Sequence, residues 1–321
     1  MIDFVGRRKW FFLVSGIIIL VGILFLIPAG PFGLEWGIEF TSGSMMTIEF
    51  EQDVSASELQ QEMASLGHGE AIVQGTEDNT FIVRANKFEE SVQDPATGKT
   101  VSEEEMIRIA LEERFGGLEI LSSYDISPSI SQKIASNAAI AVVVAAIGIL
   151  LYVTWAFRKL IRSVRFGVCA IIALIHDVLV VVGLYAFLGT FFLLEVDVMF
   201  IAGILTVIGY SVNDTIVVFD RIRENRLKNP NAPLSTTVNQ SIMETIGRSI
   251  NTSLTTLLVV LALFLLGGES IHNFVLILLV GVITGTYSSI AIASQFLIVW
   301  ENGTFGRVFR RVIPRRVLAR G

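Results

Sequence analysis

Six stretches of this chain are too long and too apolar for an ordinary soluble core: residues 10–28, 137–157, 166–188, 198–219, 245–267 and 271–299. A hydrocarbon layer about 30 Å thick takes about 20 helical residues to cross. A backbone in lipid must also satisfy its own hydrogen bonds, so each stretch predicts a transmembrane helix. The last is long enough to tilt or to extend beyond the bilayer. A hydrophobic share of 52% and a mean hydropathy of +0.66 agree with the lipid bilayer as the main surroundings of the chain.

Lys and Arg near the ends of these spans set the expected orientation. Arg7, Arg8 and Lys9 precede the first span. Arg158, Lys159, Arg162 and Arg165 fill the turn after the second, and Arg221, Arg223, Arg226 and Lys228 follow the fourth. Arg307, Arg310, Arg311, Arg315, Arg316 and Arg320 crowd the tail, while residues 189–197 and 268–270 hold no Lys or Arg. Both termini are therefore expected in the cytoplasm and residues 29–136 outside it. The first span is read as an uncleaved anchor, because "IPAGPFGLEWG" after it is a poor cleavage site. The expected division is 1–9 cytoplasmic N-terminus, 10–28 transmembrane helix 1, 29–136 extracytoplasmic domain, 137–299 five-helix transmembrane region and 300–321 basic cytoplasmic tail. Residues 51–125 carry seventeen acidic and five basic side chains, a net of −12 in a chain whose total is −6. That separation also places the two parts in different surroundings.

Within the external part, "MMTIEF" (45–50) reads as a strand. Ser55 with Glu58 and Ser102 with Glu105 form capping-box patterns, each ahead of a helix. "EAIVQ" and "TFIVR" flank "GTEDN" as a hairpin, and "LEILSSY" closes the region as a strand. The order β-α-β-β-α-β predicts a small α+β, ferredoxin-like domain. "SVQDPATGKT" reads as a surface loop, and His68, between two glycines, as an exposed loop residue. The fold class expected is an α-helical polytopic membrane protein with this domain between helices 1 and 2.

Little else points to chemistry. Cys169 is the one cysteine. There is no metal-ligand spacing and no Walker A sequence, so neither a metal nor ATP is expected. A nucleic-acid partner is not expected either.

The informative residues are the polar ones inside the spans. A carboxylate near a bilayer centre costs about 2.5–3.5 kcal/mol even on the lenient insertion scales. Asp214 nevertheless interrupts the fourth span. Tyr210 and Ser211 share its helical face, flanked by Asn213 and Thr215. In the fifth span Arg248, Asn251, Thr252 and Thr255 recur at helical spacing. Arg248 lies at a depth comparable to Asp214, so a facing pair is expected. His176 and Asp177 fall near the middle of the third span, about 100° apart on the helix. Gly281, Thr284, Gly285 and Ser288 give the sixth span a small-residue face for close packing. An acid beside a movable guanidinium gains and loses a proton as the cation retreats and approaches. Asp214 and Arg248 are thus the expected proton relay, with the other polar residues as a supporting network. Protons are the coupling ion and no cofactor is implied.

Those residues also carry a resemblance. "GYSVNDTIVVFDRIREN", "GIEFTSGSMMTIEF", "LIHDV" and "GRSINTSLTT" resemble the motifs of the SecF family, accessory subunits of the bacterial Sec export machinery within the resistance–nodulation–division superfamily. The likeness runs from "IDFVGRRKWFF" to the basic tail. It implies a subunit of the bacterial cytoplasmic membrane that works with a SecD-like subunit, the SecYEG channel and the translocating preprotein. The proton-motive force would drive a late stage of export, with Asp214 and Arg248 in the proton-conducting places. Glu39 and Ser42 stand where that family usually has Asp and Gly, and "SPSIS" is a loose version of its motif before the second span. The residues alone leave other functions open: a proton-coupled lipid or drug transporter half, an intramembrane aspartyl protease using Asp177 and Asp214, or a passive scaffold.

Overall fold

The computed structural model describes residues 2–27, 33–76, 79–93, 100–158, 163–192, 194–268 and 271–301. The chain opens with α1 (Arg8–Leu26), β1 (Glu35–Trp36), α2 (Ile38–Thr41), β2 (Gly43–Phe50) and α3 (Ala56–Ser65). There follow β3 (Ile72–Gly75), β4 (Thr80–Ala85), β5 (Val92–Gln93), β6 (Thr100–Val101), α4 (Glu103–Phe115) and β7 (Leu118–Ile126). Then come α5 (Pro128–Ala156), α6 (Val164–Phe192), β8 (Glu195–Val196), α7 (Val198–Lys228) and α8 (Leu234–Leu266). The chain continues through α9 (His272–Ser288), a π-helical turn (Ser289–Ala293) and α10 (Ser294–Glu301). It divides into two compact units, one of α1, α5 from Ile140 onward and the later helices, the other of Glu35–Ala139 together with Glu195–Asp197.

In the helical unit, six helical stretches among the described residues are long and apolar enough to cross a membrane, the sixth running from His272 to Glu301. α7 and α8 extend past the predicted spans because their polar ends bind each other. Asn225 donates to Ser241 Oγ (3.0 Å) and Glu244 Oε2 (2.8 Å), and Arg221 pairs with Glu224 and Glu244. Asn239 of α8 also holds the N-terminal segment, accepting from Phe4 N (2.9 Å) and donating to Ile2 O (3.1 Å). Lys159, Arg162 and the arginines of the tail lie outside the described residues.

Small residues set the closest helix contacts. A methyl group built on Gly22 of α1 would lie 2.8 Å from Gly183 Cα of α6. One built on Gly281 of α9 would meet Val207 of α7 at 2.0 Å, and one on Gly285 would meet Ser211 at 2.9 Å. The predicted small face of the sixth span is therefore the seat of α7. Large apolar side chains of α1, α5 and α8, such as Leu20, Val144 and Leu258, point outward. Such a surface suits lipid or other membrane helices.

The second unit carries a four-stranded sheet in the order β3-β4-β2-β7, every neighbouring pair antiparallel. Met46, Ile48, Phe81 and Val83 alternate inward and meet Leu59 and Met63 of α3 and Ile107 and Leu111 of α4. Ser55 and Glu58 form the expected capping box. Ser102 caps α4 by accepting from Glu105 N, but the Glu105 carboxylate turns to Arg108 instead. The predicted "SVQDPATGKT" loop begins and ends in the short β5–β6 pairing, with residues 94–99 outside the described residues. His68 is not an exposed loop residue. It is 8% exposed, stacks edge-on against Phe88 and sits 3.2 Å from Glu103, because its backbone closes the end of α3 through Met63 O. β1 pairs in parallel with β8, and Arg84 of β4 binds the Glu195 carboxylate. Burial pushes that carboxyl up to about 7 even though the guanidinium opposes the shift, and the nearby Glu39 and Glu35 carboxylates push it the same way.

Two substitutions test this packing. Ser42 ends α2 with φ 67° and ψ 161°, a region that strains any residue but glycine by about 1–3 kcal/mol. Ser42→Gly is expected to raise the denaturant midpoint, by an amount corresponding to about 1 kcal/mol after the extra flexibility of the unfolded chain is set against the relief. Gly281→Ala is expected to destabilise the helical unit by about 1–3 kcal/mol through overpacking against Val207. Gly148→Ala, whose new methyl would meet nothing within 4 Å, is the control in the same denaturant titrations.

Candidate functional site

The polar residues of the helical unit converge where α6, α7, α8 and α9 meet. Asp177 of α6 is 1% exposed and Asp214 of α7 is 6% exposed. Each is held by serine hydroxyls. Ser249 of α8 donates to Asp214 Oδ1 at 2.6 Å, and Ser289 donates to Asp214 Oδ2 at 2.8 Å. Ser211 of α7 and Ser288 of α9 both donate to Asp177 Oδ2, the latter at 2.7 Å. His176 Nδ1 lies 3.0 Å from Asp177 Oδ1. Among the described residues neither carboxylate has an Arg or Lys within ion-pair distance, and no hydrogen bond joins the two acids.

Local chain geometry brings these hydroxyls together. Ser211 and Asp214 are one turn apart on α7, so one face serves both acids. Ser288 and Ser289 are adjacent, and the π turn starts between them. A π turn frees backbone carbonyls from their α-helical partners. Here the side chains of Ser294 and Gln295 take them up, donating to Ser289 O (2.8 Å) and Ile290 O (3.2 Å). A second strand of hydroxyls runs beside the acids: Tyr210 donates to Ser253 Oγ (3.2 Å), which is hydrogen-bonded to Thr286. The Tyr287 hydroxyl bonds Ser15 of α1 (3.0 Å) and Phe11 O (3.0 Å), and its ring lies 6.0 Å from that of His176.

The family described as "Protein export membrane protein SecD/SecF, C-terminal" matches residues 107–303, and the "SecD/SecF GG Motif" matches residues 32–54. The chain belongs to the SecD/SecF family. It is 43% identical to the protein translocase subunit SecF of Thermobaculum terrenum, over 98% of each chain. It is 35% identical to the protein translocase subunit SecDF of Bacillus subtilis, over 94% of this chain and 38% of that one. Among solved structures it is similar to SecDF, a translocon-associated membrane protein from Thermus thermophilus. The TM-score there is 0.77 at 34% identity, over 94% of this chain and 39% of that one. As a SecD/SecF member with six apolar helices it is a multi-pass membrane protein.

Seen on this SecD/SecF scaffold, the polar residues sort into two groups. Asp214, Asp177, His176, Ser211 and the hydroxyl of Tyr210 take part in the buried network, and Thr215 is buried beside it. Asn213 is exposed. The expected polar stripe of α8 is turned the other way: Arg248, Asn251, Thr252 and Thr255 are all exposed, and no ion pair to Arg248 forms among the described residues. Thr252 and Thr255 bond their own helix, at Arg248 O (3.0 Å) and Asn251 O (3.0 Å). Thr245, Ser249, Ser253 and Val260 are the buried face. The facing Asp214–Arg248 pair is thus replaced by Asp214–Ser249. Adjacent helical positions differ by about 100°, and α8 carries small polar residues on both faces, so its sequence pattern does not choose between them. Ser249, Ser253, Thr286 and Ser289 escaped sequence reasoning. For Thr286 and Ser289 the one signal was the run of hydroxyls in "TYSS" within an apolar span, and for Ser249 and Ser253 the hydroxyl-rich "SINTSLTT".

The orientation of α8 is checked by a pair of substitutions in the purified chain. Ser249→Ala leaves Asp214 one donor short and is expected to cost about 1.5–3 kcal/mol, the scale of hydrogen bonds to charged groups. Arg248→Ala is expected to change thermal stability by less than about 0.5 kcal/mol, as for an outward-facing position.

Proposed function

We propose that this chain is a SecF-like subunit of a Sec protein translocase. With a SecD-like partner it uses the proton-motive force to promote a late stage of protein export across a bacterial cytoplasmic membrane. The SecYEG channel and the translocating preprotein are the further partners, and protons are the coupling ion. Both termini face the cytoplasm, in keeping with the arginine-rich loops. The four-stranded sheet unit is a ferredoxin-like domain on the outer face.

The observation that carries the proton role is Asp214 itself: a buried carboxylate held by hydroxyls and, among the described residues, without a cation. Hydroxyls serve either protonation state, since each has one donor and two acceptor lone pairs. A protonated acid is also the cheaper occupant of a low-dielectric site. Arg248 is the next residue to Ser249 on α8. Turning α8 by about one position, about 100°, would exchange a hydroxyl at Asp214 for a guanidinium. The cation then favours proton release, and its retreat favours uptake. Each proton crossing a potential of about 100 mV supplies about 2.3 kcal/mol, and cycling of α7 and α8 would convert that into motion.

The outward stripe of Arg248, Asn251, Thr252 and Thr255 supports the SecD-like partner. A guanidinium at membrane depth needs polar surroundings, which a second set of helices would supply. The SecDF relatives also contain this chain's match within a much longer chain.

Asp214→Asn keeps the shape of the side chain and removes its titration. In membrane vesicles with an imposed proton gradient, the variant is expected to reduce gradient-dependent export to the level found without the subunit, with unchanged abundance and partner recovery. Undiminished export by Asp214→Asn would remove the proton role.

A further inference from the structure

Asp177 is the buried acid that the proton step above leaves unused. It is less exposed than Asp214, and the two share one supporting frame. Ser288 serves Asp177 and Ser289 serves Asp214. Ser211 serves Asp177 one turn from Asp214 on α7.

Two details separate this arrangement from a simple helix clamp. Ser288 Oγ lies within reach of both Asp177 Oδ2 (2.7 Å) and Gly285 O (3.2 Å), and Ser289 Oγ within reach of both Asp214 Oδ2 (2.8 Å) and Thr286 O (3.0 Å). Each hydroxyl therefore has two acceptors. When the acid is ionised, the hydroxyl donates to it. When the acid carries a proton, the hydroxyl turns to its own helix carbonyl and accepts the carboxyl O–H through a lone pair. Both protonation states are satisfied at both acids with no movement of heavy atoms. The second detail is His176. It is buried, its Nδ1 faces Asp177, and its Nε2 has no partner among the described residues. An imidazole takes a proton at one nitrogen and releases one at the other.

We propose that Asp177, positioned by His176, is a second proton-binding group, coupled to Asp214 through the Ser288–Ser289 pair. This rests on Asp214 being the proton carrier. A proton given up by a hydronium ion, which leaves as water, binds the Asp177 carboxyl, at Oδ2 facing Ser288 or at Oδ1 facing His176. In transfer to His176 the Oδ1–H bond breaks as the Nδ1–H bond forms, leaving a carboxylate beside an imidazolium. Like charges in one poorly hydrated site resist joint ionisation, so the two acids titrate as a coupled system. Among the described residues, the ionisable groups that share this frame are His176 on the same helix, Asp214 of α7 by way of Ser288 and Ser289, and Tyr287 of α9, whose ring lies 6.0 Å from that of His176. α1 brings Ser15 by way of Tyr287 and has no ionisable side chain from Phe11 to Leu26. The π turn has none either.

The test is an infrared pH titration of the full chain in liposomes, following the carbonyl stretch of protonated carboxylic acids. Among the bands that the wild type loses as pH rises, one is expected to be absent in Asp177→Asn and a different one in Asp214→Asn; Glu195 and the other carboxyls contribute bands that both variants keep. In Asp214→Asn, the band assigned to Asp177 should change in frequency or in titration, because the neighbouring acid on the shared serine frame is gone. Ser288→Ala, a milder change, should alter the Asp177 band by removing one of its hydrogen-bond partners and leave the Asp214 band in place. If Asp214→Asn removes a band while neither Asp177→Asn nor Ser288→Ala alters the titration, the inference is overturned and the Asp214 reading stands. If Asp214→Asn removes no band, the Asp214 reading itself fails.

Discussion

The glycine face of α9 against α7 is the contact on which the rest of the helical unit depends. With no side chains at Gly281 and Gly285, Val207 and Ser211 come to within van der Waals contact of the α9 backbone. That approach carries Ser211 and Asp214 to the level of Ser288 and Ser289. In a membrane, where apolar burial gives helices little reason to associate, close backbone packing and interhelical hydrogen bonds must supply it. Here the two coincide, since the glycines that allow contact lie within two turns of the serines that make the bonds.

This coincidence explains how two carboxylates are tolerated among apolar helices. An isolated charge there would be expensive, and proteins often answer with a partner of opposite sign. This chain answers within itself with hydroxyls, which suit an acid that changes its protonation state. A fixed guanidinium would hold Asp214 ionised. Serines of α8 and of the π turn leave that choice to the surroundings, and Arg248, one position from Ser249 on α8, faces outward. The separate hydroxyl sets on Asp177 and Asp214 also argue against the aspartyl protease alternative, which needs two carboxylates sharing a proton at close range.

Much of this was legible before any coordinates. Twenty-residue apolar runs leave a backbone few alternatives to helix, so each expected span overlaps one of the helices found, although α5 starts at Pro128, α7 ends at Lys228 and α8 starts at Leu234, each well outside its apolar run. Alternation at Met46, Ile48, Phe81 and Val83 and the caps at Ser55 and Ser102 marked the sheet unit for the same reason, since both are local rules. Asp214, Asp177 and His176 stood out because their cost in an apolar span is visible residue by residue. Less legible were the polar ends of α7 and α8, where helix persists because Asn225, Arg221 and Glu244 bind across the hairpin. His68 was misplaced because the packing of Phe88 over it involves residues twenty positions apart.

The amino-acid sequence by itself determined the number of long apolar helices, the order of elements in the small sheet unit, and the presence of acids that a membrane segment would not carry without cause. Only the tertiary structure decided who meets those acids. α8 has hydroxyls on two sides, and its pattern is compatible with presenting either Arg248 or Ser249 inward. The choice fell to Ser249 through packing against α7 and α9, a sum of contacts from distant parts of the chain that no single helix encodes. The π turn after Ser288 is a decision of the same kind. One additional residue in that turn sets the facing of Ser289, and Ser294 and Gln295, five residues beyond the carbonyls they bind, keep it in place.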